Sequence, residues 1–196
     1  MILQNIKLKN ELKKITKDHL KVIDVLVFGS TVRGKSHPSD IDILLLFKEK
    51  VDKNIEYLVR NILQKYAKNL SLISKTEKTV VDAAFDARES MLFEAKSLLT
   101  GKNLAQQYGF SSFGMFKYHF SHWSKLQKTK FYYALNGRGK KGIAESFGCI
   151  KLSDSVMLVP LEHIEEFRSF LESWKIEYKY IPLVIPARLG RKSILE

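Results

Sequence analysis

Residues 28–47 read FGSTVRGKSHPSDIDILLLF. A glycine, a hydroxyl and an arginine stand ahead of two aspartates one residue apart, and the aspartates open an apolar run. Burying a carboxylate is costly unless something pairs with it, so the stretch calls for a partner. The runs on either side decide the fold. VIDVLVF (22–28) is β-branched and apolar, the mark of a buried strand, and Gly29 ends it. IDILLLF (41–47) is a second such strand. Side chains at i and i+2 of a strand point the same way, so Asp40 and Asp42 project side by side. A divalent cation between them removes their repulsion. Hard oxygen ligands suit Mg²⁺, with Mn²⁺ as an alternative, and Mg²⁺ readily takes substrate phosphates as further ligands.

The residues before the pair supply the other half of such a site. Ser30 offers a hydroxyl and a backbone N–H to a phosphate oxygen, and a helix starting there adds free amides and a favourable dipole. Arg33 adds a permanent forked cation, and Gly34 lets the chain turn away. Two ions about 3.5–4 Å apart activate an attacking hydroxyl and stabilise the departing oxygen. A third acid on a neighbouring strand would help hold the second ion. Asp82, inside the apolar TVVDAAF, is the candidate. Asp86 is a rival, but with Glu89 it has the spacing of a capping box.

In order and spacing, Gly29, Ser30, Arg33, Gly34, Ser39, Asp40 and Asp42 resemble the signature of the polymerase-beta-like nucleotidyltransferase superfamily, above all its minimal members. The resemblance covers roughly residues 20–100. It implies an α/β fold with a mixed sheet flanked by helices. It also implies a magnesium-bound nucleotide (ATP among the candidates) and transfer of a nucleoside monophosphate with loss of pyrophosphate. By position, Asp40, Asp42 and Asp82 become the catalytic metal ligands, and Gly29, Ser30, Arg33 and Ser39 the nucleotide-binding residues.

Working outward, residues 2–20 place Ile2, Ile6, Leu12 and Ile15 at near-helical spacing. The periodicity of 51–70 predicts a helix, and KTVVDAAF (78–85) a third strand. A helix from Asp86 to about Leu99 follows, with Gly101 as its stop. The aromatic-rich run 113–137 reads as helical from about His119, and GRGKKG (137–142) as a basic glycine loop. VMLVP (156–160) is a short strand, 161–175 a helix and 176–186 a strand. Small polar residues and glycines cluster at 108–114. They divide the chain into a nucleotidyltransferase domain at 1–108 and a small basic α/β domain at 109–196.

The 196 residues carry a formal net charge of +12, and such an excess favours a polyanionic partner. The steepest window, 117–151, holds eight Lys and Arg against Glu145 alone. Lysines neutralise phosphates and aromatics stack on bases in single-strand binding. Here the aromatics Phe120, Trp123, Phe131, Tyr132 and Tyr133 read better as core. The bases Lys128, Lys130, Arg138, Lys140 and Lys141 read as a nucleic-acid face. Residues 135–147 faintly resemble a helix-hairpin-helix, although Arg138 and the pair Gly142-Ile143 depart from it.

The single Cys149 rules out an internal disulfide and a CxxC metal site, which fits a reducing cytoplasm. The N-terminal residues are charged throughout, unlike a signal peptide. No apolar stretch approaches the roughly 20 residues of a membrane helix. The expectation is a metal-dependent enzyme using an NTP or dNTP, with an RNA or DNA end as acceptor. AMP transfer to a protein, transfer to an aminoglycoside-like small molecule, and an inactive nucleic-acid-binding module are the alternatives. Oligomeric state and template dependence are not legible.

Overall fold

The two apolar runs that flank the glycine turn become β1 (Val22–Phe28) and β2 (Ile41–Phe47). They pair antiparallel at the centre of a four-stranded sheet, with Phe28 opposite Asp42. The computed structural model describes residues 2–35, 38–80, 82 and 84–190. The chain divides into two units, 1–108 and 109–196.

In the first unit, α1 (Ile6–Asp18) precedes β1, and α2 (Lys53–Gln64) carries the chain from β2 to β3 (Leu70–Thr76). β3 runs parallel to β2, the arrangement that a helical crossover permits. Both faces of the sheet are covered, which is why its central strands are apolar without alternation. On one face lie Leu8 and Leu12 of α1 and Ile55, Val59 and Leu63 of α2, all buried. On the other, Leu26, Leu44 and Leu46 pack with residues of α3 (Glu77–Val80), α4 (Arg88–Glu94) and α5 (Leu104–Gln107). β4 (Lys96–Ser97) pairs with β1 at the sheet's edge. The side chains of Asn5 and Asp52 cap α1 and α2 by accepting first-turn amides.

Four expectations for this unit need correction. The apolar phase of residues 2–20 breaks, because Ile2 lies in a separate 3-10 turn and α1 begins only after Asn5. Leu8 therefore takes the inner face and Ile6 is exposed. The helix expected over 51–70 stops at Gln64, and its last residue opens β3. The strand expected over 78–85 is absent among the described residues: 77–80 is helical, Asp82 lies in a bend, and Val81 and Ala83 are outside the described set. β3 already satisfies the outer edge of β2, so tertiary pairing overrides the β propensity of the valines. Finally, α4 starts at Arg88, one residue after Ala87, which makes no side-chain cap bond. It ends at Glu94 because Ala95 turns extended to enter β4.

The second unit is an antiparallel sheet in the order β6-β7-β5-β8. Its strands are β5 (Phe110–His119), β6 (Ile150–Ser153), β7 (Val156–Pro160) and β8 (Glu177–Pro186). Its helices are α6 (Lys125–Asn136), α7 (Ile143–Ser146) and α8 (Ile164–Ser173). Helix formation in the aromatic run therefore begins at Lys125 and not near His119. Residues 110–119 form the ten-residue strand β5, and a capping box between Ser124 and Gln127 starts α6. Phe131 is fully buried and packs against Phe120, Trp123, Phe170 and Trp174. Of the aromatics expected as core, Phe131 is, Phe120, Trp123 and Tyr132 are half-buried, and Tyr133 is exposed, a correction to that expectation. No described helix is long and apolar enough to cross a membrane.

Candidate active site

Gly29 ends β1 with φ +79°, and a Cβ built there would lie 3.0 Å from Asp42 Oδ2. Glycine is thus required twice, by the left-handed backbone and by the close approach of a carboxylate. The chain then makes a single 3-10 turn, Gly29–Thr31. The amides of Val32 and Arg33 donate to the Gly29 carbonyl at 3.1 and 3.4 Å, and that of Lys35 to the Ser30 carbonyl at 3.1 Å. A turn this short lacks the aligned dipoles expected of a helix starting at Ser30.

Asp42 is half-buried at the start of β2. Burial first, and then the charge of Asp40, push its carboxyl above the usual aspartate range. A hydrogen bond from Ser71 and the positive charge of Arg33 oppose the shift. Ser71 stands directly opposite Asp42 on β3. Asp40 is exposed and accepts the Ser39 hydroxyl at 2.8 Å. The Ser39 carbonyl in turn accepts the Asn69 side-chain Nδ2–H at 2.9 Å. Gly29, Arg33, Asp40 and Asp42 are therefore neighbours, as the sequence suggested.

The third acid is not gathered in with them. Asp82 is exposed, and its Oδ1 accepts the Ala84 amide at 2.9 Å. Among the described residues no group of three or more His, Cys, Asp or Glu is arranged to hold a metal ion. β3, the strand beside Asp42, reads LSLISKT and carries no carboxylate. The three-acid arrangement expected from the sequence is not seen among the described residues. The donor set that remains is two hard carboxylates that repel one another, next to a gap left by the missing Cβ of Gly29. This set fits one hard divalent cation completed by water and substrate oxygens.

A residue that the sequence reading missed lies at the same turn. Glu94 ends α4 and is 4% exposed. Its Oε1 accepts the Gly29 amide at 2.9 Å, and its Oε2 pairs with Arg33 Nη1. The signal was an acid set between apolar neighbours in MLFEAKSLL, the same anomaly that exposed Asp42.

In the second unit, Lys130, Arg138, Lys140 and Lys141 are exposed and Lys128 is half-buried. Lys128 lies over the Phe120 ring and Arg138 over that of Tyr133, while Lys141 pairs with Glu145 at 3.3 Å. The glycine loop between α6 and α7 is pinched at its base. A Cβ on Gly142 would meet Gly137 N at 2.3 Å, and one on Gly137 would meet the Lys140 carbonyl at 2.0 Å.

Residues 9–100 match the family of the nucleotidyltransferase domain. This part of the chain is a nucleotidyltransferase domain of the polymerase-beta-like superfamily. The chain thus carries the domain of a nucleotidyl-transferring enzyme, and the mixed sheet with its helices is that domain's fold. No curated protein matches the sequence. Among solved structures, a toxin-antitoxin MntA-HpeT mutant is 19% identical over 51% of this chain and 78% of its own, with a TM-score of 0.36. A toxin-antitoxin structure with AMP-PNP is 21% identical over the same shares, also at 0.36. A tri-AMPylated Shewanella oneidensis HEPN toxin in complex with MNT antitoxin is 19% identical over 52% and 76%, at 0.33. Likenesses of this depth carry no argument about the chemistry of the nucleotidyltransferase domain.

Proposed function

We propose that the protein transfers a nucleoside monophosphate from an NTP or dNTP to a hydroxyl at the end of an RNA or DNA strand, releasing pyrophosphate. The observation that carries this reading is the approach of Asp42 Oδ2 to the Gly29 turn, with Arg33 close enough to bias the Asp42 carboxyl. A cation ligand and phosphate ligands thus share one place. Asp40 and Asp42 hold the divalent ion. Ser30 and Arg33 hold the triphosphate, and Ser39 orients Asp40 through its hydroxyl. A bound Mg²⁺ supplies charge neutralisation on the transferring phosphate. The acceptor hydroxyl forms its bond to the α-phosphorus and gives its proton to solvent water, as the bond to pyrophosphate breaks and pyrophosphate leaves with the electron pair. The nucleic-acid acceptor is supported by the basic window of the second unit, where Lys128, Lys130, Arg138, Lys140 and Lys141 supply phosphate contacts.

The test incubates the protein with Mg²⁺, each labelled NTP or dNTP, and a panel of RNA and DNA ends. Labelled nucleic acid is expected, with Asp42→Asn reducing it by at least ~10²-fold through loss of the cation. Labelled protein in its place overturns the acceptor and favours AMP transfer. No product with any acceptor overturns the catalytic reading.

A further inference from the structure

We propose that Glu94 is the positioning residue of the nucleotide grip, a buried carboxylate that holds the Gly29 turn and the Arg33 guanidinium in the shape that receives the triphosphate. The inference rests on the reading of that turn as the phosphate site. Two groups fitted to an anion, the Gly29 amide and the Arg33 guanidinium, both meet the carboxylate of Glu94. The same carboxylate thus joins the end of β1 to a cation four residues further on.

Two roles are open to a carboxylate in this position. It can stand in for phosphate and leave when the nucleotide arrives, or it can stay and shape the turn. The surroundings of Glu94 favour staying. On its N-terminal side, Met91 is fully buried and accepts the Ala95 amide at 3.0 Å. On its C-terminal side, Lys96 and Ser97 pair with Val27 and Leu26 of β1. The Ala95 carbonyl accepts the Leu104 amide at 2.7 Å. The backbone that carries Glu94 is therefore tied to the strand that ends in Gly29. With Glu94 in place the Gly29 amide is not available to a phosphate oxygen, so Ser30 and the guanidinium make the contact, aimed by Glu94 from behind. A fixed carboxylate also keeps a long flexible arginine in one arrangement before the nucleotide binds, which lowers the ordering cost of binding.

The two roles predict opposite signs. Affinity for Mg²⁺ with each common NTP and dNTP is measured by titration calorimetry on the full chain, for wild type, Glu94→Gln, Arg33→Gln and the double variant. Glu94→Gln keeps an acceptor for the Gly29 amide and removes the charge that orients Arg33. The expected result is nucleotide affinity weakened about tenfold in Glu94→Gln, with KM raised more than kcat is lowered. The double variant should be scarcely weaker than Arg33→Gln alone, because the two side chains act as a unit. Tighter nucleotide binding by Glu94→Gln would mean a phosphate mimic and overturn the proposal. Unchanged affinity with a lowered Tm would mean a purely structural ion pair and overturn it too. Should Glu94→Gln fail to fold, Glu94→Asp in its place shortens the reach to Arg33, and unchanged affinity there has the same consequence. If wild type binds no nucleotide, the reading of the whole site fails, an outcome distinct from wild type binding and Glu94→Gln binding equally well.

Discussion

At the scale of single residues, the site is a set of acids whose positions make sense only through their neighbours. Asp42 is the clearest case, because burial and Asp40 raise its carboxyl pKa. Such a group binds its proton more tightly folded than unfolded. In the metal-free protein its contribution is therefore unfavourable to the fold once pH rises above the ordinary aspartate range, and the penalty is complete above the raised value. Mg²⁺ held by the aspartate pair, as proposed, would remove that penalty. We expect the rise in Tm on adding Mg²⁺ to grow between about pH 4 and pH 7. In Asp42→Asn the rise should be small at every pH, while the metal-free Tm at pH 7 lies above that of wild type. Differential scanning fluorimetry with and without Mg²⁺ checks both. Asp82 belongs to the same scale with the opposite forecast. It serves a local turn, so Asp82→Asn should keep activity within about threefold of wild type in the transfer assay. Gly29 and the aspartate pair were legible because a glycine and two acids interrupt apolar strands. Glu94 also interrupts an apolar run, but its role was not legible, since its partners lie 65 and 61 residues away in the chain.

At the scale of elements, what could be read followed from how local the cause was. β1, β2 and β7 are short, apolar and bounded by turn residues, and α8 shows its buried stripe of Ile164, Phe167 and Leu171. Their periodicity sufficed. β3 was missed because LSLISKT is only partly apolar and follows α2 closely. Its state is set by pairing with β2, which is tertiary information. β5 was not legible for a similar reason: its aromatics fit a helix as well as a strand until β7 and β8 flank them. The glycine loop between α6 and α7 gives this scale its prediction. At Gly142 an added methyl meets backbone at 2.3 Å and cannot be accommodated by a side-chain shift, whereas at Gly139 nothing lies within 4 Å. Gly142→Ala should cost at least ~1–3 kcal/mol in urea unfolding and weaken nucleic-acid binding by disordering Arg138, Lys140 and Lys141. Gly139→Ala carries only the penalty of its positive φ, about 1–2 kcal/mol, and should bind nearly as wild type.

At the scale of the whole molecule, the sequence already divided into a part with recognisable chemistry and a part whose bases cluster in the window 117–151. The charge makes a quantitative forecast. If the five named bases each contact a phosphate, the logarithm of nucleic-acid affinity should fall with the logarithm of salt at a slope near −3.5 to −4.5. Replacing Arg138, Lys140 and Lys141 by glutamine should flatten the slope by about 2–3. A slope unchanged by those substitutions would remove the loop from the binding face. The bond between Glu94 and the Gly29 turn also bears on biosynthesis. A ribosome releases the turn early, when the carboxylate that shapes it has yet to be translated, and protein chains fold as their domains emerge. On the proposed reading, the nucleotide grip is then among the last features the first unit completes, and a chain interrupted before residue 94 would lack the carboxylate that shapes it.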